Sequence, residues 1–193
     1  MIDINMFKKL PYYVVLQKRK YKINTDFRHI IQIEQKILDR GANNTEKICW
    51  CLEHFYPFFY KRSLAILYTN PDLFKEAFEK LKWFYKCGRE DYHKKRSSKG
   101  SNERDLFSYE YDDEYIWGAL KEKYNVDLTT DKIHWWKFKA MLKSLHKTKF
   151  NEIQNYRSYK GDDKDMKELK KYWELPLNKQ DEEEMQKLYD MLK

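Results

Sequence analysis

The sequence is poor in residues that turn a chain sharply, with five Gly and four Pro among 193 residues. An all-β chain needs many tight turns, so this shortage counts against sandwiches and barrels and favours helices with few corners. Cysteine is also sparse. Cys49, Cys51 and Cys87 form an odd set, which argues against a disulfide framework and fits a reducing compartment. No apolar run is long enough to cross a bilayer. The longest, Tyr56–Tyr60 through Leu64–Tyr68, is broken by Lys61, Arg62 and Ser63. The opening MIDINMFKKL lacks the apolar region of a secretory signal.

Catalytic signatures are missing too. There is no G-x-S-x-G, no Walker A, no G-x-G-x-x-G and no HExxH. His29, His54, His93, His134 and His146 never stand four residues apart. Cys49, Cys51 and His54 are ligand types, but their spacing lacks the two-residue gap of common zinc knuckles and no second cysteine pair follows. The simpler reading is a helix with small apolar thiols and a surface imidazole. The carboxylates of Asp112–Asp113–Glu114 and Asp181–Glu184 sit at predicted helix starts, where the helix dipole explains them. A non-enzymatic protein without metal or cofactor is expected.

Aromatic residues are abundant, at 17% of the chain, with 16 Tyr and 6 Trp. Such rings serve both cores and interfaces. The net charge is +8, from 39 basic and 31 acidic residues, which admits anionic partners. Lys94, Lys95, Arg96 and Lys99 within HKKRSSK are the candidates for holding phosphate. A solvated loop explains them more simply, so nucleic-acid binding is the lesser expectation.

Periodicity predicts a mainly α fold: a helical bundle of about six to eight helices with a short N-terminal β-hairpin. Tyr13–Leu16 and Tyr21–Ile23 are β-branched or aromatic around a polar turn. Asn24 or Thr25 is the predicted cap of a first helix that stops at Gly41. Thr45 opens a second helix, which Pro57 ends. A short helical turn is expected within Phe58–Tyr68. Asn70 and Pro71 open the best-signed helix, Pro71–Cys87, with Gly88 closing it. Further helices are expected from Asp112 to Tyr124, from Thr129 or Thr130 through Leu145, and around Phe150, Ile153 and Tyr156. In the charged tail, Leu169, Tyr172 and Trp173 form one sparse stripe. Met185, Leu188, Tyr189 and Leu192 form another beyond Pro176. Four parts result: a hairpin and helical half at 1–88, a flexible basic loop at 89–106, a second helical half at 107–160 and a charged helical tail at 161–193.

Trp135, Phe138, Leu142 and Leu145 recur at helical steps, and Trp136, Ala140 and Met141 widen that stripe. A helix apolar over so much of its surface is buried, by its own chain or by a partner. Trp135, Trp136, Phe138 and Met141, with Trp83, Phe84 and Tyr85, are therefore the candidate partner-binding residues, each equally explained as core.

Seven segments taken in order carry a family resemblance. They are KINTDFR (Lys22–Arg28), KWFYKCG (Lys82–Gly88), SSKG (Ser97–Gly100), FSYEYDDEYIW (Phe107–Trp117), YNVDL (Tyr124–Leu128), HWWKF (His134–Phe138) and NYR (Asn155–Arg157). Their order and spacing resemble a family of tail proteins from siphophages and prophages of Gram-positive bacteria. In that family the gene lies between those for the major tail protein and the tape-measure protein. Phe58–Thr69 looks like an insertion or variant segment. The resemblance implies a tail-assembly chaperone that acts in the host cytoplasm and leaves before the virion matures. It implies binding to the tape-measure protein, recruitment of major tail (tube) protein and self-association along a long client. The alternatives are a permanent tail-completion protein and a basic nucleic-acid-binding regulator.

Overall fold

The structure, a computed structural model, describes residues 9–38, 43–89 and 106–176. The predicted Gly41 stop, the basic loop cations Lys94, Lys95, Arg96 and Lys99, and the stripe from Met185 to Leu192 lie outside the described residues. The chain divides into two compact units: Met1–Lys95 with Thr130–Ala140, and Arg96–Thr129 with Met141–Lys193. Neither is contiguous in sequence.

The first unit opens with the expected hairpin. Strands β1 (Tyr13–Leu16) and β2 (Arg19–Lys22) pair antiparallel, Val14 opposite Tyr21 and Val15 opposite Lys20. Side chains alternate across a strand, so Val14 and Leu16 turn inward while Tyr13 and Val15 stay exposed. A two-residue hairpin favours a turn with positive φ at both central positions. Gln17 and Lys18 supply φ of 44° and 65° without glycine, a conformation that costs an L residue about 1–2 kcal/mol. Contacts outside the hairpin help hold it. The Gln17 N–H donates to Glu76 Oε2 at 2.9 Å and its Nε2 to Asn70 Oδ1 at 3.1 Å.

Helix α1 (Phe27–Leu38) buries Phe27, Ile30 and Ile33, successive three-residue steps along one side of an amphipathic helix. Its start corrects the predicted cap. Asp26 Oδ1 accepts from the Arg28 N–H at 3.0 Å. Asn24 instead serves the end of α2 (Asn44–Phe55): its N–H donates to the Phe55 carbonyl and its Nδ2 to that of His54. These are carbonyls that a helix end leaves without intrahelical partners. Helix α2 begins one residue before the predicted Thr45, because Asn43 accepts from the Thr45 N–H at 2.8 Å. A 3-10 turn (Pro57–Phe59), helix α3 (Ser63–Thr69) and helix α4 (Pro71–Tyr85) follow. Asn70 caps α4 as expected, accepting from the Leu73 N–H at 3.1 Å. Phe55, Tyr56, Phe59 and Phe84 form an aromatic core. The buried Tyr56 hydroxyl donates to the Ala77 carbonyl at 3.0 Å, and burial, then the charge of Glu76, pushes its pKa far up.

The second unit holds α5 (Asp113–Tyr124), α7 (Lys149–Ser158) and α8 (Lys164–Tyr172). Helix α6 (Trp135–Ser144) contributes Trp135–Ala140 to the first unit and Met141–Ser144 to the second. The predicted start of α6 at Thr129 or Thr130 is too early. Thr129 instead closes a tight turn in which its N–H and hydroxyl both donate to Asp127 Oδ1. These bonds, the hydroxyl one first, lower the Asp127 pKa. Asp112, read from sequence as serving the α5 dipole, makes no side-chain cap bond. It forms a buried two-pronged pair with Arg157 at 2.6 and 2.9 Å, and Arg157 also donates to the Leu106 and Trp173 carbonyls.

Candidate partner-binding surface

The tryptophan pair occupies a defined structural role. Helix α4 ends at Tyr85, leaving carbonyls without intrahelical partners. The indole N–H of Trp135 donates to the Tyr85 carbonyl and that of Trp136 to the Phe84 carbonyl, each at 2.9 Å. Two rings from Thr130–Ala140 therefore cap a helix some fifty residues away in sequence. Gly88, at φ 68°, lets the Trp136 ring close in. A Cβ there would stand 2.9 Å from the Trp136 ring, and its backbone conformation is one that glycine adopts without strain.

The same segment is tied to the start of α1. The Phe27 N–H donates to Ile133 O, and the Trp135 N–H to Thr25 O. His134, between them, is buried. Its Nδ1 accepts from the Trp136 N–H at 3.1 Å, which leaves the proton on Nε2 to donate to the Pro11 carbonyl at 3.0 Å. Burial, the largest cause, lowers the His134 pKa; nearby Lys137 also lowers it, while the Pro11 bond raises it.

The structure thus sorts the predicted partner residues. Trp135, Phe138 and Phe84 are buried, with Trp135 stacked between Tyr85 and Phe138. They lie in the core, the other of the two readings that the sequence left open for each. Tyr85 and Trp136 are half-buried, and Trp83 keeps 39% of its surface, edge-on to Trp136. Met141 is half-buried and falls in the second unit. Cys49 and Cys51 are buried, burial pushes the Cys51 thiol up to about 11, and the His54 ring stacks on Trp50.

The exposed apolar surface of the first unit lies elsewhere, on α3. Its seven residues, SLAILYT, carry no charge, in a chain that is 36% charged. Ser63 is its one buried residue, donating to Glu53. The helix packs against α2 and α4, and a seven-residue helix touching two neighbours leaves a third side open. That side presents Leu64, Ala65 and Tyr68, with Leu64 53% and Tyr68 79% exposed. Phe58 and Tyr60 extend it from the preceding turn. Phe58 packs edge-on against Tyr21 of β2. Lys61 Nζ lies 5.3 Å from the Tyr60 ring centre, and the Arg62 guanidinium 5.8 Å from that of Phe58, distances at which a cation is drawn to a ring face. Sequence reading registered this stretch as a short helical turn in a variant segment, without a binding role. The signal it held was the absence of charge from Ser63 to Thr69.

Among the described residues, no helix is long and apolar enough to cross a membrane. The architecture defines the class: a mainly helical protein with a short N-terminal hairpin. The sequence matches the family model for bacteriophage Gp15 protein over residues 6–190. The chain belongs to that family and is a bacteriophage protein. No curated protein and no solved structure matches it.

Proposed function

We propose that the chain is a phage tail-assembly chaperone. It binds the tape-measure protein in the host cytoplasm, helps recruit major tail protein around it, and leaves before the virion matures. The observation that carries this reading is the uncharged, exposed face of α3. Apolar helical surfaces left in water are contact sites for other chains, and a helical client with its own apolar stripe is a fitting occupant. The role is non-enzymatic and needs no cofactor. A long client holds many copies, so self-association along it belongs to the same reading.

Co-expression with the tape-measure protein of the same phage, followed by affinity capture, tests the proposal. Co-purification, with the tape measure soluble only in the presence of this chain, is the expected result. A tape measure that is soluble alone and never captured would overturn it. Mass spectrometry of purified virions should find the chain missing. Stoichiometric presence there would replace the chaperone by a tail-completion protein.

A further inference from the structure

Resting on that reading, we propose that the α3 face receives an amphipathic helix whose apolar stripe is flanked by carboxylates. Leu64, Ala65 and Tyr68 lie within one turn and a half of α3, Leu64 and Tyr68 four residues apart, so they share one side of a helix. They make a strip about one turn, 5.4 Å, long. Phe58 and Tyr60 lengthen it toward the hairpin.

Charge selects the occupant. Lys61 and Arg62 stand at the start of the strip, each lying against a ring. Neither pairs with a carboxylate among the described residues, and α3 itself offers none. Glu53, on neighbouring α2, is held by the Ser63 hydroxyl. Acidic groups bordering the incoming apolar stripe would meet these two cations. A second copy of this chain fits poorly, because a two-fold contact sets each patch against itself and would bring Lys61 and Arg62 against their own equivalents. A nucleic acid fits poorly too. Its phosphates need a cationic track along the strand, and Leu64 and Ala65 offer aliphatic surface instead.

The test uses the full-length chain and three synthetic helical peptides, followed by fluorescence anisotropy. One carries a leucine stripe flanked by Glu, one the same stripe flanked by Lys, and one a scrambled order. The Glu-flanked peptide should bind saturably, about tenfold or more tighter than the Lys-flanked one. The double substitution Lys61→Glu, Arg62→Glu should abolish or reverse that preference. Leu64→Asp should weaken binding of the Glu-flanked peptide by about tenfold, and Tyr68→Ala gives the same readout if Leu64→Asp fails to fold. Equal binding of both charged peptides, no saturable binding, or indifference to both α3 substitutions would overturn the proposal. So would displacement by an oligothymidine, or self-association abolished by Leu64→Asp. Tape-measure capture separates the two levels. Capture undiminished by the α3 substitutions removes this surface and spares the chaperone reading. Failed capture by the unaltered chain removes the chaperone reading, while the peptide titration still decides the surface.

Discussion

Phe58–Tyr68 and His134–Phe138 are both aromatic, apolar and accompanied by cations in sequence, yet in the first unit most large apolar side chains of the former stay exposed, Phe59 apart, while those of the latter turn inward. Trp135 and Phe138 are buried, whereas Phe58, Tyr60, Leu64 and Tyr68 are exposed. Hydrogen bonding separates them better than hydrophobicity does. Each indole of the tryptophan pair carries one N–H that reaches a carbonyl at the end of α4, and His134 uses both ring nitrogens on backbone groups. Those rings close helix ends and strand-like segments. Among the described residues the α3 side chains make two hydrogen bonds, from the Thr69 hydroxyl to the Ala65 carbonyl and from the buried Ser63 hydroxyl to Glu53, and neither involves the exposed Leu64, Ala65 or Tyr68 side chains. A ring with a structural hydrogen bond is drawn inward, and an aliphatic helix with two neighbours keeps a side for a third.

That contrast breaks most visibly at Trp135. Trp135→Ala removes a fully buried ring and leaves the Tyr85 carbonyl without its indole donor, so a loss of about 3–5 kcal/mol is expected. Urea unfolding followed by circular dichroism measures it, and a loss under about 1 kcal/mol would mean the ring is not a keystone. Trp136→Phe is milder. It keeps most of the ring and takes away one N–H, while the Phe84 carbonyl still accepts from the Cys87 N–H. A cost of about 1–2 kcal/mol is expected by the same measurement.

His134 sharpens the comparison through pH. Its folded-state pKa lies below the ordinary histidine value, so at low pH the unfolded chain binds the proton more readily than the folded one. Its contribution is therefore complete above about pH 6.5 and declines as pH falls below that value. Protonation also puts a hydrogen on Nδ1, facing the Trp136 N–H that this nitrogen accepts. Unfolding midpoints for the unaltered chain and for His134→Asn should converge as pH drops from about 7.5 toward about 5.5, the range around the histidine pKa. A constant gap would show that His134 is not buried as the neutral form.

Local signals made the elements legible. The period-two hairpin, Asn70–Pro71 before α4 and the apolar steps of α1 each rest on a few adjacent residues, and each stands in the structure. What the sequence hid was pairing at a distance. Asn24 looks like a helix start and serves the end of α2; Asp112 looks like a dipole partner and meets Arg157, forty-five residues on. Burying an ion pair is tolerable only when its remaining hydrogen-bonding groups are satisfied, and those partners, the Leu106 and Trp173 carbonyls and the Ser108 N–H, are themselves set by the fold. The open apolar face of α3 was hidden for a similar reason. Periodicity finds apolar faces but does not say which of them the chain itself will cover.

The smallest expected effect on stability falls at Tyr68, and it is the most informative about the surface. The side chain is 79% exposed, belongs to a helix that buries only Ser63 and makes no side-chain hydrogen bond among the described residues. Tyr68→Ala should therefore move the unfolding free energy by no more than about 0.5 kcal/mol. Alanine's higher helix propensity offsets part of whatever packing the ring contributes. Urea unfolding of the two proteins side by side measures this, with thermal melts as a second readout. A loss above about 2 kcal/mol would show that the ring is covered by the chain itself, and α3 would then join Trp135 in the core instead of standing open to a partner.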